Sequence, residues 1–337
     1  MGRTHSEAIH RLPNAELVAV SGGTRAEGLA QSYGMAYEPD EQILLGRSDI
    51  DAIVVTTPHH RHVDQTLTAC AQGKHVLIEK PLATTVEDCD RMIAAAQQHQ
   101  RKLGVGYQQR FRTNNMKACE LIRAGVIGQV QTVQVSMPMF SNVIKSGGFG
   151  GNWAWWNDPA SVGHLLNSAP HAVDLLRWFT GAELVTVSAF SRTFLPGITV
   201  EDTTMALMEF SNGTLCSLFS SRALPAESFP GEGFRFRIMG DKGLLDLDPT
   251  DVLKLSNEDG WNVVSTQPPI NFEDSNMAFG DVRMKSYCDQ MAAFIDLIEG
   301  RPSNVGQSLD GRAGVEACVS MLQSSAEKRW VFPDQGK

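Results

Sequence analysis

The chain has 337 residues, of which 42 % are hydrophobic and 20 % charged, an ordinary globular composition with length for two domains. A formal net charge of −9 argues against a nucleic-acid partner, because neutralising phosphates takes clustered Lys and Arg. No run approaches about eighteen consecutive apolar residues and Met1–Ser6 has no apolar signal core, so neither a membrane span nor a secretory leader is expected. From Ala8 to about Val105, short apolar runs alternate with helical patterns. The runs are Leu17–Val20, Ala52–Thr56, His75–Ile78 and Leu103–Val105, and between them lie helices over Arg25–Tyr33, His60–Gln72 and Val86–His99. Strands alternating with helices of this length predict βαβ units and a parallel sheet. Thr84-x-x-Glu87 has the form of a capping box for the last helix, whose apolar face is Val86, Cys89, Met92, Ile93 and Ala96.

Beyond about Asn115 the pattern changes to antiparallel strands. Val130–Met137, Leu184–Phe194, Thr203–Phe210 and Thr214–Ser220 have strand composition, and Asn212-Gly213 is a hairpin signal between two of them. Phe234–Met239 and Gly243–Leu247 predict a second hairpin around Gly240-Asp241-Lys242. Helices over Met284–Glu299 and Ser308–Lys328 close the chain, the first stopped by Gly300 and Pro302. The expected architecture is α/β: a Rossmann-type parallel sheet over residues 1–112, followed over 113–337 by an α+β domain with a mainly antiparallel open sheet and helices on one face. Six cysteines lie far apart without a Cys-x-x-Cys pair, which fits small core residues in a reducing cytoplasm. His59-His60-x-His62 has too few convergent ligands for a metal, and no metal site is expected.

Two features bear on chemistry. A nucleotide-binding unit opens with a strand and Gly-x-Gly-x-x-Gly, whose glycines let backbone approach a pyrophosphate. Here Met1-Gly2-Arg3-Thr4-His5 runs straight into a helix over Ser6–Arg11, so Gly2 stands where the third glycine would, with Arg3 beside it. The first strand and two glycines are expected to be missing by truncation. The second feature is Gly73-Lys74-His75-Val76-Leu77-Ile78-Glu79-Lys80-Pro81-Leu82, a buried strand ending in an acid, a base and a proline. Ligands of open α/β sheets bind beyond the carboxyl ends of strands, and Pro81 restrains the residue before it. Lys80 is therefore delivered where chemistry takes place.

With Val54-Val55-Thr56-Thr57-Pro58-His59-His60-Arg61-His62, Gly106-Tyr107-Gln108-Gln109-Arg110-Phe111, Asn167-Ser168-Ala169-Pro170-His171-Ala172-Val173-Asp174 and Val200-Glu201-Asp202-Thr203-Thr204, these residues resemble the glucose-fructose oxidoreductase / inositol dehydrogenase (Gfo/Idh/MocA) family over nearly the whole chain. The resemblance implies hydride transfer between a nicotinamide and a carbinol carbon of a sugar or cyclitol. It places the catalytic lysine on Lys80 and the catalytic histidine on His171. Where the family often has aspartate, this chain has Asn167. It also implies cofactor contacts at Thr57, Pro58, His62, Glu79 and Lys80, and a homodimer or homotetramer through the second sheet.

His171 suits removal of a hydroxyl proton, because an imidazole titrates near neutrality, and Lys80 suits stabilising charge on the same oxygen. Asn167 keeps the hydrogen-bonding shape of aspartate without its charge, which should lower the pKa of Lys80. Asp174 lies on nearly the same helix face as His171. It can orient that ring, bind a substrate hydroxyl, or simply complement a helix dipole. After the second strand Val20-Ser21-Gly22-Gly23-Thr24-Arg25 carries no acid for a ribose hydroxyl, so Ser21, Thr24 and Arg25 point to NADP rather than NAD. The substrate pocket is expected from Tyr107, Arg110 and the Gly147–Trp156 segment, with Trp153 offering a stacking face. Two alternatives stand beside a polyol dehydrogenase: a dihydrodiol-type dehydrogenase of aromatic catabolism, and a cofactor-binding sensor without turnover.

Overall fold

The computed structural model describes residues 1–140, 160, 162–225, 233–268 and 279–333. The first half is built on short parallel strands. β1 (Ala19–Ser21) pairs β2 (Ala36–Glu38), and β3 (Ala52–Val55), β4 (His75–Ile78) and β5 (Leu103–Val105) form a second parallel run. Helices α1 (Gly2–His10), α2 (Ala26–Tyr33), α3 (Glu41–Gly46), α4 (His62–Ala71) and α5 (Val86–Gln98) alternate with them. β4 and β5 are almost wholly buried, as continuous Val/Ile/Leu runs in a covered parallel sheet should be. The sequence patterns for β4, β5 and Thr203–Phe210 match the observed strands residue for residue.

Several details differ from expectation. α1 starts at Gly2 rather than Ser6, and β2 and α3 were not foreseen, being too short to establish a period. Thr85, not Thr84, caps α5, its hydroxyl accepting from Asp88 N at 3.1 Å. In the second half the helix α6 (Thr113–Arg123), the short helix α7 (Gly163–Ser168) and two further strands were also unforeseen, whereas α8 (Pro170–Thr180) is the helix expected to carry His171 and Asp174.

The second sheet has eight strands in the order β13-β12-β11-β10-β6-β9-β8-β7. These are β6 (Val130–Phe140), β7 (Leu184–Arg192), β8 (Thr203–Phe210), β9 (Leu215–Leu224), β10 (Arg235–Gly240), β11 (Leu244–Leu247), β12 (Val252–Asn257) and β13 (Gly260–Thr266). All neighbours are antiparallel except β6 and β9. Both hairpins form where Asn212-Gly213 and Gly240–Lys242 placed them, Gly213 taking φ 84°.

The chain then returns to the first half. β14 (Gly306–Gln307) adds antiparallel to β5, and α9 (Asp281–Ile298) packs on α1 and on the 3-10 turn Gln108–Phe111. Gly104 in β5 lets the Phe294 ring approach so closely that an added Cβ would stand 2.9 Å from it. The expectation that both closing helices cover the second sheet therefore needs correction for α9. The last helix, α10 (Ser308–Glu327), packs against both halves, touching α5, α8 and β7. No helix among the described residues is long and apolar enough to cross a membrane, and all six cysteines are free thiols.

Candidate active site

β4 delivers Glu79 and Lys80 to its carboxyl end, and the Lys80–Pro81 peptide bond is cis. His62 at the start of α4 holds this turn in place. Its Nδ1 lies 2.9 Å from the Pro81 carbonyl and its Nε2 3.0 Å from that of Thr57. The ring is fully buried and burial lowers its pKa; neutral, it donates to one of these two carbonyls, and both of its nitrogens face loop oxygens. Thr57 in turn donates its hydroxyl to Gln65 at 2.6 Å.

Glu79 turns inward. His5, from α1, donates Nε2–H to Glu79 Oε1 at 2.7 Å, and both side chains are buried. Burial works to raise the Glu79 pKa, but the His5 hydrogen bond and the nearby cations outweigh it and bring it down to about 2. The His5 ring also meets Tyr287 of α9 edge-on at 5.8 Å. His5 was missed in the sequence. The available signal was its spacing, three residues before the fully buried Ala8 on one helix face.

Lys80 points across to the second half of the chain. Its Nζ donates to the Asn167 carbonyl at 2.7 Å and to Asn167 Oδ1 at 3.3 Å. Burial lowers the pKa of this lysine, and Glu79 partly opposes the shift. Asn167 is the penultimate residue of one short helix and His171 is the second residue of the next, with Pro170 at its first position, where a missing N–H costs nothing. Burial, and then the charge of Lys80, push the His171 pKa down to about 3, so its imidazole is neutral at pH 7. The ring stands edge-on to Tyr107 at 6.1 Å, and its Nδ1 has no hydrogen-bond partner. Lys80 thus reaches Asn167 across 87 residues of sequence, and its charge acts on His171.

Arg110 and Asp174, both expected at the substrate, are instead bound to each other. Arg110 Nε donates to Asp174 Oδ2 at 2.8 Å and its Nη2 to Oδ1 at 2.5 Å, and Asp174 is fully buried. Arg110 Nη2 also lies 3.1 Å from Asp310 of α10, which Arg177 reaches at 2.7 Å. Burial raises the Asp174 pKa, with Arg110 pulling against it, to about 6. This network clamps the 3-10 turn, α8 and α10 together. Tyr107 is fully buried with its hydroxyl unpartnered, against Gly314 of α10, where an added Cβ would stand 2.4 Å from the oxygen. Arg112, just beyond, is also buried, with Nε and Nη1 unpartnered, and its charge helps depress His171. Trp153 and the rest of the 147–156 segment lie outside the described residues.

The expected nucleotide contacts divide into three places. α1 begins beside the end of β3: a Cβ on Gly2 would lie 3.6 Å from Thr56 Oγ1. No side chain caps α1, which leaves its positive end for an anion. Ser21 ends β1 with its hydroxyl oxygen buried and unpartnered, while Thr24 and Arg25 are exposed at the start of α2. Pro58 precedes the 3-10 turn His59–Arg61, and Arg3 lies over the Phe279 ring at 4.3 Å. An uncapped helix end and an orphaned hydroxyl at a strand end fit a phosphorylated nucleotide.

Residues 1–107 match the model of an oxidoreductase family with an NAD-binding Rossmann fold, and residues 115–246 match the GFO/IDH/MocA C-terminal domain. The chain belongs to the Gfo/Idh/MocA oxidoreductases. Among relatives of this family, inositol 2-dehydrogenase of Rhizobium meliloti is 24 % identical over 98 % of this chain and 96 % of its own. Inositol 2-dehydrogenase 3 of Saccharopolyspora erythraea is 29 % identical over 96 % and 90 %. Among solved structures, an aldose-aldose oxidoreductase from Caulobacter crescentus superposes with a TM-score of 0.80 at 25 % identity, covering 98 % of this chain and 95 % of that one.

Proposed function

We propose that this protein is a dehydrogenase or reductase acting on a secondary alcohol or ketone carbon of a sugar or cyclitol. The observation that carries the reading is the contact of Lys80 with Asn167 across the two halves, with His171 within reach of the lysine's charge. Oxidising a carbinol requires loss of the hydroxyl proton as the hydride leaves carbon. The neutral His171 accepts that proton. Lys80 spends two N–H donors on Asn167 and keeps a third for the substrate oxygen, whose developing negative charge it stabilises. A nicotinamide, when bound, supplies the hydride acceptor. The start of α1 with Gly2 and Arg3, then Ser21, Thr24, Arg25, Thr57 and Pro58, are the residues offered to hold its nucleotide. A purified-protein assay over a panel of sugars, cyclitols and an aromatic dihydrodiol, with NAD and NADP, tests the reading. It fails if none is turned over by protein that binds the nucleotide, which is the behaviour of a sensor.

Two further expectations follow from named residues. Placing a carboxylate at the position of the Asn167 amide raises the Lys80 pKa. Asn167→Asp is therefore expected to move the kcat/KM–pH profile, and loss of activity without movement counts against an electrostatic role. The orphaned Ser21 hydroxyl, with no acid nearby on the strand, supports NADP. Ser21→Asp should raise KM for NADP and lower it for NAD; equal ratios for both chains remove this assignment.

The outer face of the eight-stranded sheet supports self-association. Phe190, Met205, Leu207 and Leu215 lie on one face of adjacent strands and are each more than half exposed. A second copy covering this face makes a homodimer or homotetramer, read by light scattering.

A further inference from the structure

The Val200–Thr204 motif has no part in the site as described, yet its glutamate reaches it. Glu201 extends into the start of α7. Its Oε2 accepts from His164 N and its Oε1 from Leu165 N, both at 2.8 Å, while its own carbonyl also accepts from His164 N at 3.2 Å. Gly163 makes this approach possible: at φ 73° a Cβ would stand 2.4 Å from Glu201 Oε1. One turn later the same short helix presents the Asn167 carbonyl and amide oxygen to Lys80 Nζ.

We propose that Glu201 is a positioning residue for Lys80, its carboxylate fixing the start of α7 and thereby the Asn167 acceptors that aim the lysine. The catalytic meaning of this rests on the function proposed above; the positioning itself does not. The helix is too short to hold its orientation alone, and two charge-assisted hydrogen bonds at its first amides supply the missing restraint. Burial raises the Glu201 pKa to about 7, with the His164 and Leu165 amides opposing. The groups facing it are Arg222 of β9, the neighbouring Asp202, Cys318 of α10 and His164, whose pKa burial pushes down to about 3. Protonation makes one of the two acceptor oxygens a donor, so the restraint weakens as pH falls through 7.

Lysine labelling of the full chain by acetic anhydride, read by mass spectrometry, tests this without a substrate. In Glu201→Gln, which keeps the shape but opposes one backbone N–H with an amide NH2, Lys80 should label about fivefold faster, the factor for one lost hydrogen bond. Lys74, buried and bound to the Arg47 and Ile50 carbonyls, serves as the unchanged reference. Asn167→Ala removes the amide acceptor but keeps the carbonyl at 2.7 Å, so it should speed Lys80 less than Glu201→Gln does, and the double variant by less than the product of the two. An unchanged Lys80 rate in folded Glu201→Gln, or additive effects, overturns the proposal. In the unsubstituted chain, Leu165 amide protection, corrected for intrinsic exchange, should fall between pH 8 and pH 6. Turnover undiminished in Lys80→Met would remove the catalytic reading and leave these results standing, so the two failures are distinct.

Discussion

Replacing Lys80 by Met is expected to lower kcat by about 10²–10⁴, the range for losing one acid, base or charge-stabilising group in a water-poor site. The lysine is half-buried, donates to two Asn167 oxygens, and has its pKa lowered by burial. Methionine fills a similar volume without the charge. The structural cost should thus be small, as denaturant unfolding would show. A Met variant that retains kcat would show that Lys80 holds the two halves in register and does no chemistry. His171→Ala should give a loss of comparable size, and combining the two should cost less than the product of both, because they serve one oxygen.

The second large effect concerns stability. Asp174 is fully buried, and Arg110 reaches it through two hydrogen bonds. Asp174→Ala leaves a buried guanidinium with Asp310 at 3.1 Å and the Asn304 carbonyl at 3.5 Å, which should cost about 3–5 kcal/mol. Denaturant unfolding measures this. The double variant Arg110→Met/Asp174→Leu removes both charges and should recover most of the loss, since an apolar pair of similar volume avoids the desolvation penalty. If Asp174→Ala unfolds like the parent but loses substrate affinity, Asp174 is a substrate ligand after all.

These two cases show how far the sequence could be read. Lys80 was legible because it closes an apolar strand of four residues and precedes a proline, a local pattern with a topological meaning in parallel sheets. Its neighbour Glu79 was legible as an odd charge, but its partner was not. His5 sits 74 residues earlier, and nothing local says that a histidine on a helix face will be buried against a carboxylate. Arg110 and Asp174 bind each other, and that pairing was not legible because two polar residues that face each other look, in one dimension, like two residues that face a ligand. The return of the chain to β5 through β14 was invisible for a related reason: two residues carry no period. The long patterned elements were accurate because each had burial on one face to enforce its register.

Asn167 shows a subtler limit. Its identity suggested a neutral neighbour for Lys80, and the structure puts its amide oxygen within 3.3 Å of Nζ. The stronger contact is through its main-chain carbonyl, at 2.7 Å, which any residue would offer. What the sequence needed to reveal was the placement of α7, and that is set by Glu201 from 34 positions further on.

The account rests on hydride transfer at a carbon held between Lys80 and His171. The direct measurement is to incubate the protein and oxidised nucleotide with polyols deuterated at their carbinol carbons, and to analyse the nucleotide by mass spectrometry. The expected result is a reduced nucleotide carrying the deuterium, formed by the unsubstituted chain and not by Lys80→Met/His171→Ala. Reduced nucleotide without deuterium, or its equal formation by the double variant, would contradict the account.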